Sequence, residues 1–158
     1  MDEPAFRASF DQSVRRHADE QVQRGVWTSS SALQASREEM AQLLPRGRAT
    51  PGYRFCQVLE RATGAVVGET WYSVRARGGT THFWIDWIWV DLPFRRQGFG
   101  EDLLRWLEIE AVRSGADRVG LHVFAGNAAA RALYGKRGFE TTNLRMAKRV
   151  GPSARGSP

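Results

Sequence analysis

The sequence is poor in cysteine, in lysine and in long apolar runs, and each scarcity removes a class of protein. Cys56 is the sole cysteine of 158 residues, so no intrachain disulfide framework is possible and thiols cannot build a zinc site. A reducing compartment is the expectation. No apolar stretch approaches the roughly 20 residues of a membrane span. The opening Met1-Asp2-Glu3-Pro4 is acidic where a secretory signal is basic, and a cytoplasmic protein without membrane contact is expected. Three histidines, His17, His82 and His122, show no metal-ligand spacing, so no metal site is expected.

What is present is positive charge, carried by arginine. There are 23 basic against 17 acidic residues, a net charge of +6, and only Lys136 and Lys148 are lysines. Such a balance suits acidic partners, whether nucleic acid, anionic lipid or a phosphorylated cofactor. Codon usage explains an arginine bias as readily as binding does, so charge alone does not choose among them.

Along the chain, Phe6 to Arg24 carries Phe6, Phe10, Val14, Ala18 and Val22 near one helical face. A second helix is predicted from the Ser29-Ser30-Ser31 cap region through Leu43. Two prolines and two glycines between Pro45 and Gly52 then end regular structure. Tyr53 to Leu59, Ala65 to Arg77 and Thr81 to Val90 are rich in aromatic and β-branched residues, and short glycine-bearing links make them antiparallel neighbours. A helix after Pro93 to about Arg113, a strand Arg118 to Phe124, a helix from about Ala128 to Arg137 and a last strand within Phe139 to Lys148 complete the pattern. This is an α/β (α+β) domain over residues 1–150, with a mixed, mostly antiparallel sheet flanked by helices. The polar tail Gly151 to Pro158 is expected to be disordered.

The most informative passage runs from Val90 through Arg95-Arg96-Gln97-Gly98-Phe99-Gly100 to Leu104. A strand ends, arginines and glycines form a turn, and a helix begins with unsatisfied amides and a positive dipole end, the requirements of an anion site. A P-loop is ruled out because no Gly-Lys-Ser/Thr follows. A dinucleotide fingerprint is ruled out because Leu103 stands where a third small residue belongs. Downstream, Asn127 occupies an N-cap position and Tyr134 follows two helical turns later, roughly 10 Å along the axis. Asn127 either caps its helix or meets a ligand, and Tyr134 is either a core aromatic or a member of a site.

Taken together, Arg95-x-x-Gly98-x-Gly100 after one strand, and Asn127, Ala130, Leu133-Tyr134 and Gly138-Phe139 after the next, closely resemble the GNAT superfamily of acetyl-coenzyme A-dependent N-acetyltransferases. Leu43-Leu44-Pro45, Thr50-Pro51-Gly52 and Asn143-Leu144-Arg145-Met146 look like a bacterial group of that superfamily whose acceptor is poorly defined. The resemblance implies a GNAT-like fold, acetyl-CoA as cofactor and direct acetyl transfer to a primary amine in a ternary complex. It implies that the backbone of Ile88, Trp89 and Val90 holds the pantetheine arm. Amides of Arg96, Gln97, Gly98, Phe99 and Gly100 would hold the pyrophosphate, with the Arg95 and Arg96 side chains adding charge. Asn127 would touch the cofactor arm, and Tyr134 would stand near the sulfur and protonate the thiolate.

A neutral amine also needs its proton removed. Asp86 is the carboxylate inside the third strand and the first candidate base, with a structural hydrogen-bond acceptor as the other reading. Glu69 is the second candidate, with a solvated face as its other reading. Strict alternation puts His82, Trp84, Asp86, Ile88 and Val90 on one face and Phe83, Ile85, Trp87 and Trp89 on the other, a parity that a bulge would reset. Trp71, Trp84, Trp87 and Trp89 are core residues or line an acceptor cleft. Cys56 reads as a buried small hydrophobe.

One departure from the family pattern is that the first helix starts by Phe6 with no room for the usual strand before it. Either the domain lacks its first strand or its start is placed too far downstream. Without that strand the edge of Tyr53 to Leu59 is exposed, and a homodimer paired through that edge is one consequence. The competing functional readings are a basic nucleic-acid-binding module, for which no recognised motif is present, and a catalytically silent coenzyme A-binding protein of the same fold.

Overall fold

The computed structural model describes residues 1–146 and residue 148. The chain divides into two compact units, Met1–His122 and a second that begins at Val123.

The first unit opens with helix α1 (Glu3–Gln23), started by Asp2, whose Oδ1 accepts from the Ala5 amide at 2.9 Å, and by a proline in the first turn. Its buried residues are Phe6, Ser9, Ser13, Val14, Ala18 and Gln21, whereas Phe10 and Val22 of the predicted stripe are half-buried. Steps of four residues advance about 40° each around a helix of 3.6 residues per turn. The stripe therefore winds off the buried face, and serines fill the seam. Helix α2 (Ala32–Leu43) packs on α1 through the Ser36 hydroxyl, which donates to the Val14 carbonyl at 2.7 Å. Ser31 stands at its cap position, but the hydroxyl pairs with Thr28 at 2.8 Å and caps no amide.

Strands β1 (Tyr53–Leu59), β2 (Val66–Arg77) and β3 (Thr80–Val90) are antiparallel neighbours, and β4 (Arg118–Leu121) lies parallel to β3. Helix α3 (Phe99–Arg113) makes the crossover that parallel pairing requires. The order β1-β2-β3-β4 leaves β1 at one edge, and among the described residues no strand precedes α1. On one face Phe6, Val14, Met40 and Leu44 from the two N-terminal helices cover Tyr53, Phe55 and Trp71. On the other, Tyr72 stacks on Phe83 at 4.5 Å and meets Trp106 of α3 edge-on.

The register resolves the question of parity. Trp71 pairs with Trp87 and Tyr72 with Ile85, so Asp86 is an extra residue, a β-bulge. The four residues predicted to share a face are split by it. Phe83 and Ile85 stay with Tyr72, while Trp87 packs tilted against Trp71 and stacks with Trp89. Asp86 accepts from Ser73, the residue opposite both Tyr53 and Trp84, and so faces the α1 side.

In the second unit, helix α4 (Ala128–Lys136) ends near the predicted boundary, with Gly138 at φ +83°. The strand predicted within Phe139 to Lys148 is not formed among the described residues. Leu144 and Met146, apolar residues within that span, are 77% and 91% exposed. Likewise β4 stops at Leu121, short of the predicted Phe124. The tail Gly151 to Pro158 lies outside the described residues.

Candidate active site

The turn between β3 and α3 begins at Asp91, whose carbonyl accepts from Phe94 at 2.9 Å to form a single 3-10 turn over Leu92–Phe94. Two positions beyond it are left-handed, Arg96 at φ 62° and Gly98 at φ 92°. Arg96 adopts this conformation against the ordinary preference of a residue with a Cβ. Among the described residues, the amides of Arg96, Gln97, Gly98, Phe99 and Gly100 donate to no acceptor within the chain, and α3 starts directly behind them. Successive amides in such a turn form an anion-binding concavity, reinforced by the helix dipole. Among the described residues, and its two chain neighbours apart, a Cβ on Gly98 would meet no atom within 4 Å. Glycine is therefore set there by its left-handed φ, not by crowding.

The loop is tied to its strand by side chains. Arg95 Nε donates to the Val90 carbonyl at 2.8 Å, its guanidinium lies 4.4 Å from the Trp89 ring, and Gln97 donates to the Pro93 carbonyl at 2.8 Å. Phe94 and Phe99 meet edge-on at 6.1 Å. Arg96 is exposed.

Strands β3 and β4 pair only from His82 with Arg118 to Ile85 with Leu121. Beyond the bulge, Ile88, Trp89 and Val90 pair with β2, and among the described residues no strand pairs with their other backbone edge, on the side that β4 has left. At the bulge, Asp86 accepts from Ser73 Oγ at 2.7 Å and from Arg75 at 3.4 Å. Its side chain is 4% exposed, and burial pushes its carboxyl above the ordinary carboxylate value, with the Ser73 bond and the Arg75 charge opposing.

In the second unit, Asn127 Oδ1 accepts from the Ala130 amide at 3.1 Å and is the N-cap of α4. Tyr134 is the buried residue of that helix, with Phe139 against its ring at 5.8 Å. Burial pushes its hydroxyl up to about 12.

A model of the acetyltransferase (GNAT) family matches residues 20–139. The chain belongs to the GNAT acetyltransferase family. It is 29% identical over 150 residues to the uncharacterized N-acetyltransferase YycN of Bacillus subtilis, covering 95% of this chain and 96% of that protein. It is 30% identical over 150 residues to the uncharacterized N-acetyltransferase YdgE of the same organism, covering 95% of each. The crystal structure of YycN superposes with a TM-score of 0.88 at 29% identity over 95% of both chains. A putative acetyltransferase from Pyrococcus furiosus, 21% identical over 88% of this chain and 95% of that one, shares the fold at a TM-score of 0.64.

In this GNAT protein the second sequence candidate, Glu69, is not on a solvated face. It is 8% exposed, and its Oε1 accepts from Ser13 Oγ at 3.3 Å, Arg16 at 3.2 Å and Trp87 Nε1 at 3.1 Å. Arg16, which the sequence did not single out, also reaches Asp91 Oδ1 at 3.2 Å and lies 3.9 Å from the Trp89 ring. The available signal was parity, since Glu69 shares the inward phase of Trp71 and Ser73. A cleft of about 200 Å³ between α1 and the sheet runs past Ser9, Arg16, Glu69, Trp89 and Asp91.

The other candidates separate clearly. Trp71 is 1% exposed and is core, whereas Trp84 is 37% exposed and lies across Gly120 of β4, where a Cβ would come within 2.5 Å of its ring. Cys56 is half-buried, not fully buried as expected, and burial pushes its thiol up, away from the reactive thiolate. Among the described residues no cluster of metal-ligating side chains occurs, and no helix is long and apolar enough to cross a membrane.

Proposed function

We propose that this GNAT protein transfers an acetyl group from acetyl-CoA to a primary amine, with residues 1–150 acting as one catalytic domain. The observation that carries the reading is the set of amides from Arg96 to Gly100 that find no acceptor among the described residues, at the start of α3. Donors of that kind fit a pyrophosphate, and the open position at Gly98 lets its oxygens approach the backbone.

Acetyl-CoA supplies an activated acyl thioester, which the acceptor nitrogen attacks directly in a ternary complex. The amides of Arg96, Gln97, Gly98, Phe99 and Gly100 bind the pyrophosphate, and Arg95 and Arg96 add positive charge. The open backbone edge of Ile88, Trp89 and Val90 orients the pantetheine arm, and Asn127 contacts it. Asp86 Oδ takes the proton shed by the amine, directly or through water, and its raised pKa suits a base better than a solvated carboxylate would. Tyr134 Oη gives a proton to the departing sulfur, and a hydroxyl at about 12 stays protonated until that moment.

The test is calorimetric titration with acetyl-CoA, followed by release of free coenzyme A across a panel of amines. Gly98→Leu, which forces a side chain into a left-handed position, should abolish saturable binding. Absence of wild-type binding at millimolar acetyl-CoA overturns the proposal, and binding without turnover on any amine favours a silent coenzyme A-binding protein. Tyr134→Phe should lower turnover by roughly 10²-fold while sparing affinity for acetyl-CoA. An unchanged rate removes Tyr134 as the acid.

A further inference from the structure

Arg16 sits on α1, far in sequence from the loop that the proposed function assigns to the cofactor, yet its contacts lead directly to it. Its guanidinium bridges Glu69 on β2 and Asp91 at the end of β3, each at 3.2 Å, and lies 3.9 Å from the ring of Trp89. Trp89 Nε1 in turn donates to Asp91 Oδ1 at 2.9 Å, so the indole and the carboxylate are held as one unit. Asp91 is where the loop begins. Its amide donates to the Val67 carbonyl at 2.9 Å and its carbonyl accepts from Phe94 at 2.9 Å. The ring that Arg16 covers is the ring on which Arg95 rests, at 4.4 Å, with Arg95 Nε on the Val90 carbonyl.

Charge gives this arrangement its direction. Glu69 and Asp91 place two negative charges beside a loop whose open amides suit an anion, and Arg16 offsets one of them. Without Arg16, the cation already sharing the Trp89 ring is Arg95, and the unpaired carboxylates would draw it away from Val90 and the loop. Lysine is no equivalent. A single ammonium cannot bridge two carboxylates and lie flat on an indole at the same time.

We propose that Arg16 is a positioning residue for coenzyme A binding, acting through Asp91 and Trp89 to keep Arg95 and the Arg96–Gly100 amides in place. This rests on the reading of that loop as the cofactor site.

The experiment measures coenzyme A affinity by calorimetry on the full chain for Arg16→Met, Arg16→Lys, Arg95→Met and the Arg16/Arg95 double variant, each with its thermal midpoint. Arg7→Met, which breaks an exposed pair with Glu3 on the same helix, is the control. Arg16→Met should weaken binding about tenfold, the scale of coupling between contacting charged side chains. Arg16→Lys should weaken it by less, and Arg7→Met should not change it. The double variant should bind more tightly than the product of the two single effects predicts, because both act through one ring.

If Arg16→Met and Arg16→Lys lower the thermal midpoint but leave affinity unchanged, Arg16 is a structural brace only and the inference fails. Independent, multiplying effects of Arg16 and Arg95 overturn the route through Trp89. Should Arg16→Met not fold, Arg16→Lys alone decides, since unchanged affinity in it overturns the inference. Failure of the wild type to bind coenzyme A removes the underlying reading instead.

Discussion

Glu69 and Asp86 are both largely buried carboxylates on the sheet face that carries Phe55 and Trp71, yet they are held in opposite ways. Three donors converge on one oxygen of Glu69, and its cation, Arg16, is itself 22% exposed and lies against Trp89. Asp86 receives one donor on each oxygen, and its cation, Arg75, is 52% exposed. A guanidinium half in water compensates a buried charge weakly, because solvent screens it. Burial therefore dominates at Asp86 and raises its pKa. The difference separates the carboxylate proposed as the base from one tied into the packing of α1 on the sheet. Glu69 belongs to a brace between α1 and the sheet, whereas Asp86 is presented by a bulge with its pKa raised by burial.

The largest effect that would separate them is on turnover. Asp86→Asn keeps the side chain's shape and a carbonyl for Ser73 but cannot hold the amine proton. Acetyl transfer should fall by roughly 10²- to 10⁴-fold, with acetyl-CoA affinity unchanged, as read from steady-state coenzyme A release beside calorimetric binding. An unaltered rate would place Asp86 beside Glu69 as a structural group and leave deprotonation to water.

Glu69→Gln should do the reverse. Removing one partner of a buried pair leaves the other short of compensation, and a loss of about 3 kcal/mol is expected, the low end of the range because Arg16 keeps Asp91. The urea midpoint measures it. Turnover per folded molecule should change much less than in Asp86→Asn. A variant that folds as well as wild type but has lost turnover would exchange the two roles.

How much of this was legible depended on whether the signal was local. The three antiparallel strands follow from aromatic and β-branched runs between glycine-bearing links, and Tyr53–Leu59 is found where its composition puts it. The loop at Gly98 and the cap at Asn127 are local signals too, and both elements start where these residues indicate. That a bulge would reset the parity was foreseeable, but its place at Asp86 was not legible, because the residues around it are apolar in both phases and hide the shift. Arg96 was also hidden, since a left-handed arginine looks in sequence like any other. Glu69 was misjudged because its partners Ser13 and Arg16 lie more than 50 positions away and only the fold joins them. The last strand failed for a related reason. A strand is expected within Phe139 to Lys148, but a strand forms only where a neighbour supplies its hydrogen bonds.

The smallest effect is the pH dependence of stability, and it probes the same comparison without any assay of function. Asp86 starts from an ordinary value of 3.8 and is raised in the folded protein, chiefly by burial. At pH below the ordinary value the side chain is protonated in both folded and unfolded chains, and its contribution to stability is fully present. As pH rises, the unfolded chain loses this proton first, so the folded chain binds more protons and stability falls until the folded carboxyl also ionises. Subtracting the pH profile of Asp86→Asn from that of wild type isolates the group. The difference should decline through this acidic window and then level off. A difference that climbs with pH would mean that Arg75, despite its exposure, outweighs burial. Asp86 would then be a second brace, and the contrast with Glu69 would collapse.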